Sequence, residues 1–131
     1  MEVIRGNSLQ FVPASHEDPR HPGVLKKVLA TSNELLAGQV QMVNWARLPK
    51  DSAFQPHYHE DMQEVFVMLG GPVSMRVEEQ EVELNEGDAI LVSPREIHEM
   101  KNLSENDVDY IVFGISTGEG GKTVVVDSSV S

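Results

Sequence analysis

From Val24 onward the chain is written in short apolar runs, many alternating with polar residues and separated by turn-forming clusters. Strands are predicted around residues 24–30, 38–47, 64–69, 73–77, 81–84, 88–92, 97–102 and 108–115. Turns fall at Gly70-Gly71-Pro72, Glu78-Glu79-Gln80, Asn85-Glu86-Gly87 and Ser104-Glu105-Asn106-Asp107. Val73, Met75 and Val77 share one face of a strand, with Ser74 and Arg76 on the other. After the next turn Val82 and Leu84 continue the apolar face, and Glu81 and Glu83 take the wet one. Only Thr31 to Ala37 can hold a helical turn, with Ser32 as its N-cap. Many short strands at close spacing predict an all-β sandwich or barrel.

Three segments follow from this text. Residues 1–23 are an irregular N-terminal segment, broken by Pro13, Pro19, Pro22 and Gly23; residues 24–115 form the barrel; residues 116–131 are a Gly-rich tail. Within that tail Val124-Val125-Val126 can add an edge strand, pair with a neighbouring subunit, or stay disordered. A chain of 131 residues fits one domain.

Charge and composition narrow the partners. Asp and Glu number 21 against 10 Lys and Arg, a formal charge of −11, which disfavours nucleic acid and anionic membrane surfaces. The absence of cysteine excludes a disulfide framework, a zinc finger and a thiol nucleophile, and is compatible with a reducing cytoplasm. No apolar run approaches the ~20 residues that cross a bilayer. Met1 to Gln10 lacks the basic-then-apolar layout of a secretory signal, so a cytoplasmic protein is expected.

The chemistry concentrates in four residues. In a strand through Pro56-His57-Tyr58-His59, both imidazoles project from one face while Tyr58 points away. Glu64 has the wrong parity for a single continuous strand with His59. The polar stretch Glu60-Asp61-Met62-Gln63 can instead reverse the chain, so that Glu64 opens a returning strand and aims at the same point, followed inward by Phe66 and Met68. A Glu opening so apolar a strand is an odd core residue unless paired or coordinated. On a separate strand, Gly87 permits a tight turn, Pro94 closes the run 88–93, and His98 follows with Met100 and Asn102 on its face. Imidazole nitrogens suit first-row divalent ions.

These residues resemble the cupins. The first motif of that family, G-x5-H-x-H-x3/4-E-x6-G, is matched by His57, His59, Glu64 and Gly71, with Asp51 in the place of the leading Gly. The second, G-x5-P-x-G-x2-H-x3-N, is matched by Gly87, His98 and Asn102; Ser93 and Arg95 stand at the Pro and second Gly positions, with Pro94 one place late. The resemblance implies a jelly-roll (double-stranded β-helix) barrel of two antiparallel sheets. It also implies His57, His59, Glu64 and His98 as ligands of one divalent transition metal, in a site with two positions open for water, substrate or dioxygen. Three nitrogens and one oxygen suit iron, manganese, zinc, nickel or copper alike. A homodimer is a further implication, for which 24–30 and 123–127 are available as exchanged edge strands.

Two functions stay open. One is a metal-dependent enzyme on a small molecule, with dioxygenase or isomerase/lyase-type chemistry; the other is a non-catalytic barrel that binds or senses a small ligand. No catalytic residue is assigned. Met68, Met75 and Met100 read as core. Gln41, Trp45, Arg47 and Tyr110 are candidates for pocket walls, although structural roles are favoured for them. Arg95 reads as an exposed residue, His16 and His21 as loop residues, and the acidic run Glu78 to Asp88 as a solvated hairpin.

Overall fold

The apolar alternation is realised as two antiparallel sheets packed face to face, with every second side chain buried along the strands His57–His59, Met62–Met68 and Val108–Ser116. The computed structural model describes residues 1–118 and 121–126. Its strands are β1 (Val12–Pro13), β2 (Leu25–Thr31), β3 (Val40–Leu48), β4 (His57–His59), β5 (Met62–Met68), β6 (Val73–Val77), β7 (Gln80–Leu84), β8 (Ala89–Val92), β9 (His98–Asn102), β10 (Val108–Ser116) and β11 (Thr123–Val125). One sheet has the order β1-β2-β3-β10-β5-β8 and the other β11-β4-β9-β6-β7. The fold class is therefore the expected one, an all-β jelly roll. Only short 3-10 turns interrupt the strands, and no helix among the described residues is long and apolar enough to cross a membrane.

Several details differ from the sequence reading. Residues 12–13, inside the segment expected to be irregular, pair with β2. The helical turn is two 3-10 turns, Ser32–Glu34 and Leu36–Gly38, and its cap is Thr31 rather than Ser32. There the Glu34 carboxylate accepts hydrogen bonds from the Thr31 backbone N–H at 3.1 Å and its hydroxyl at 3.2 Å. The reversal after His59 needs only Glu60 and Asp61, so β5 begins at Met62, two residues early, which keeps Glu64 on the predicted face. Val82 pairs with Met75 but is 44% exposed, because β7 is the last strand of its sheet. Segment 24–30 is no edge, since β2 lies between β1 and β3; residues 123–125 do form an edge, paired with β4. Residues 119–120 and 127–131 of the expected tail lie outside the described residues.

Strand register sorts the interior into an apolar end and a polar end. On the first sheet, Leu48 faces Val108, and Ala46, Tyr110 and Met68 form the next row. Asn44, Val112, Phe66 and Ile90 follow, and then Met42, Gly114, Glu64 and Val92. On the second sheet Val73 lies beside Asn102, Met75 beside Met100, and His98 beside both Val77 and His57. Leu48, Met68, Met75 and Met100 are essentially inaccessible to solvent, which makes the methionines core. Asn102 closes this apolar end. Its amide donates to the carbonyls of Leu48, Pro49 and Asn106, and its own oxygen accepts the Ser104 N–H at 2.7 Å. The conspicuous Asn of the second motif is thus a buried staple for the 103–107 turn.

The two motif glycines that this chain lacks have left a backbone signature. Asp51 and Arg95 both hold positive φ, 66° and 69°, a region that glycine enters freely and other residues enter at a cost of about 1–2 kcal/mol. The turn is kept by its hydrogen bonds instead: the Arg95 N–H donates to the His59 carbonyl at 2.7 Å.

Urea unfolding tests both ends of this account. Leu48→Ala is expected to lose about 3 kcal/mol at unchanged slope. Arg95→Gly should match or exceed the parent by up to about 1 kcal/mol, while Arg95→Val should lose about 1–2 kcal/mol.

Candidate metal centre

At the polar end four side chains from both sheets converge. His57 and His59 project from β4, two residues apart and both buried, while Tyr58 between them is half-buried on the other face. His98, the first residue of β9, sits directly across from His57. Glu64 reaches in from β5 on the opposite sheet. One ligand atom from each of the four lies within 4.8 Å of all the others. The four expected residues are thus brought together, none displaced to another compartment.

The hydrogen bonds behind the rings fix which nitrogen faces inward. His57 Nδ1 donates to the Gln55 carbonyl at 2.6 Å, and His98 Nδ1 donates to the Glu96 carbonyl at 2.9 Å. A carbonyl only accepts, so each Nδ1 carries a proton and each ring turns its Nε2 to the centre, where the lone pair is open to an ion that displaces any proton held there. His59 Nδ1 lies 3.0 Å from the Thr123 hydroxyl on β11. On the inner side, Glu64 Oε1 lies 2.8 Å from His59 Nε2 and 3.0 Å from His98 Nε2. Lone pairs of nitrogen and carboxylate oxygen at that distance share a proton or a cation between them.

A first-row divalent ion fits these donors. Bonds of ~2.0–2.2 Å separate opposite ligand atoms by roughly 4 Å, close to the span of this cluster. Electrostatics agree with that fit. Burial, and then the neighbouring imidazoles of His16 and His98, push His57 down to about 3, so its ring is neutral at physiological pH, the form that can bind a metal. Burial alone would raise the Glu64 carboxyl, but hydrogen bonds from His59 and His98 and the charge of those rings hold it far below the carboxylate range. Glu64 is ionised, as a ligand must be.

A cavity of about 330 Å³ opens beside the cluster, between the sheets. His57, His59 and Glu64 line one side of it, Phe54 and Phe66 the apolar flank, and β2 and β3 the far wall. Of the proposed wall residues, Gln41 and Tyr110 line it. Trp45 and Arg47 do not: they lie on the outer face, where both donate to the Asp109 carboxylate and pack on Phe11. Arg95 is exposed and outside the cavity. Burial, then the charges of Glu64 and Glu17, raise the Tyr110 hydroxyl well above the usual phenol, so it keeps its proton.

His16 lies in a loop, as expected, but its ring reaches the site. Its ring stacks on His57 with centroids 4.1 Å apart. Its neighbour Glu17 is buried and accepts the backbone N–H groups of Gly23 and Gln55, each at 2.7 Å. Burial would raise the Glu17 carboxyl, yet these bonds and His16 hold it low. A Cβ at Gly23 would overlap the Ala53 carbonyl oxygen, so only glycine allows this close seating. Glu17 therefore pins the 14–23 loop to Gln55, whose carbonyl orients His57. Nothing in the sequence marked this: the loop has no periodicity, and its partner residue is remote.

A closed two-sheet jelly roll enclosing a His3Glu cluster defines a barrel with a potential metal site. The chain belongs to the cupin family, since the sequence profile of the cupin domain matches residues 44–114. In structure it is similar to a predicted oxalate decarboxylase from Thermotoga maritima (TM-score 0.78, 20% identity, covering 88% of this chain and 99% of that one). It is also similar to a cupin-2 domain protein from Rhodospirillum rubrum (TM-score 0.74, 12% identity, 98% and 82% covered). A third likeness is to an uncharacterized conserved protein with a double-stranded β-helix domain from Klebsiella pneumoniae (TM-score 0.73, 11% identity, 98% and 99% covered). At these identities the likeness concerns the fold. No curated protein sequence matches the chain significantly.

The bond from β11 has a measurable role. Thr123→Val, which keeps the shape and removes the hydroxyl, is expected to weaken zinc binding about tenfold in competition with a chromophoric chelator, leaving the thermal midpoint of the metal-free chain within a few degrees.

Proposed function

We propose that this cupin is a metal-dependent enzyme acting on a small molecule, with one divalent transition ion held by His57, His59, Glu64 and His98. The observation that carries this reading is the set of four buried donors within 4.8 Å of one another, beside a cavity of about 330 Å³. Bound there, the ion supplies Lewis-acid or redox chemistry at its open coordination positions, as isomerase/lyase or dioxygenase reactions use it. The ligand set alone favours none of iron, manganese, zinc, nickel or copper.

The chain's own residues supply the rest. The carbonyls of Gln55 and Glu96 hold His57 and His98 with Nε2 inward. Phe54 and Phe66 exclude water from the flank of the centre, which strengthens every charge interaction inside. Tyr110 offers a protonated hydroxyl on the wall where a substrate would lie. The homodimer implied by family resemblance belongs to this proposal as well. The edge strand β8, with Leu91 61% exposed, offers it an apolar surface.

Metal analysis by mass spectrometry on the purified protein should find about one equivalent, and the His57→Ala/His59→Ala variant should carry none while its barrel remains folded. Full occupancy in that variant would refute the ligand assignment. A screen of diols, keto acids and sugars should show oxygen uptake or substrate change; tight binding without turnover would mark a sensing barrel instead. Light scattering at micromolar concentration should give the mass of a dimer, and a monomer mass would remove that part of the proposal.

A further inference from the structure

The far wall of the cavity holds charge and polarity that the metal ligands do not use. Lys26 lies on β2 and lines the cavity. Arg47, Lys50 and Arg76 each meet a carboxylate. Lys26 is half-buried and has no carboxylate partner among the described residues, only a long contact of 3.4 Å to the Ser15 hydroxyl. Burial pulls its pKa down, as expected of an ammonium whose charge no anion answers. In a chain with 21 acidic residues against 10 basic ones, an unanswered cation in a cavity wall is conspicuous.

Beside it stands an unpaired acceptor. Among the described residues two buried side-chain polar atoms lack a hydrogen-bond partner, His16 Nε2 and Asn44 Oδ1, and both residues line this cavity. His16 Nε2 at least lies 3.2 Å from a Glu17 oxygen. Asn44, 7% exposed on the inward face of β3, has no such relief at Oδ1, and a buried amide oxygen without a partner is costly unless a ligand completes it. Register places Lys26 opposite Ala46, which makes Asn44 its diagonal neighbour on the same face, a separation of roughly 7–8 Å that one small molecule can bridge. Asn44 is two strands and one row from Glu64, by way of Val112 and Gly114, or roughly 12 Å between backbones. A cavity of about 330 Å³ has room for roughly ten non-hydrogen atoms if each takes the ~30 Å³ of a water.

We propose that this cavity selects a small hydroxylated carboxylate, with Lys26 taking the carboxylate, Asn44 a hydroxyl, and the remaining hydroxyls directed at the metal centre. The assignment rests on the metal-enzyme reading for its far end and on Lys26 and Asn44 for its specificity.

Isothermal titration calorimetry of the full chain, zinc-loaded and metal-free, with L-threonate, butyrate and L-threitol tests it. Threonate is expected to bind at least tenfold more tightly than butyrate, which lacks the hydroxyls, and than threitol, which lacks the carboxylate. Lys26→Met should weaken threonate about tenfold and leave threitol unchanged; Asn44→Leu should reduce the advantage of threonate over butyrate severalfold, most clearly in the metal-free chain. Absence of threonate binding, equal affinities for the three compounds, or threonate binding that neither substitution weakens overturns the assignment. The comparison of compounds on the unsubstituted chain stands even where a variant fails to fold. Zinc content of the same samples separates the two readings. A chain that takes up no zinc yet holds threonate through Lys26 and Asn44 refutes the metal centre alone, whereas a zinc-loaded chain indifferent to threonate refutes the substrate class alone.

Discussion

Two backbone carbonyls, those of Gln55 and Glu96, take the Nδ1 protons of His57 and His98 and thereby decide what the interior of this barrel can do. A histidine free to choose its tautomer is a polar side chain in search of a partner. With one nitrogen committed to a carbonyl, its other lone pair has a fixed direction. Both Nε2 atoms so directed point into a buried space that already holds an ionised Glu64. Buried charge is tolerated when it is answered, and here the imidazoles, or an ion between them and the carboxylate, provide the answer. The 14–23 loop joins this arrangement through Glu17, which binds the N–H of the residue whose carbonyl holds His57.

The barrel tolerates such a centre because its stability is assembled elsewhere. Leu48, Met68, Met75, Met100 and Val108 fill the opposite end, and Asn102 seals it with bonds to three carbonyls. Along each inner face the side chains pass from apolar to polar within a few rows, so the fold's core and its chemistry occupy different ends of one space. Apolar burial can then carry folding while the polar end keeps donors aligned for a ligand.

Strand positions were legible because alternation is a direct consequence of a sheet with one wet face. Glu64 was legible for the same reason, its parity with Phe66 and Met68 surviving a two-residue error in where β5 begins. The convergence of His57, His59, Glu64 and His98 was read from motif spacing together with strand parity. What stayed hidden has no periodicity. Residues 12–13 form too short a strand to alternate, and His16 and Glu17 sit in a loop whose partners, Gln55 and His57, are about forty residues away. Trp45 and Arg47 were candidates for pocket walls only while the parity of their strand stayed open, with structural roles favoured; their bonds to Asp109 place them outside. Lys26 and Asn44 carry no signal at all until β2 and β3 are set side by side.

The central claim is that one ion joins both sheets of the barrel through three imidazoles and a carboxylate. A crystal structure of the metal-loaded protein with data collected at the metal's absorption edge measures this directly. The account predicts a single anomalous peak about 2.0–2.2 Å from Nε2 of His57, His59 and His98 and from a Glu64 oxygen. A peak held by other residues, or a loaded crystal with no peak among these four, would contradict it.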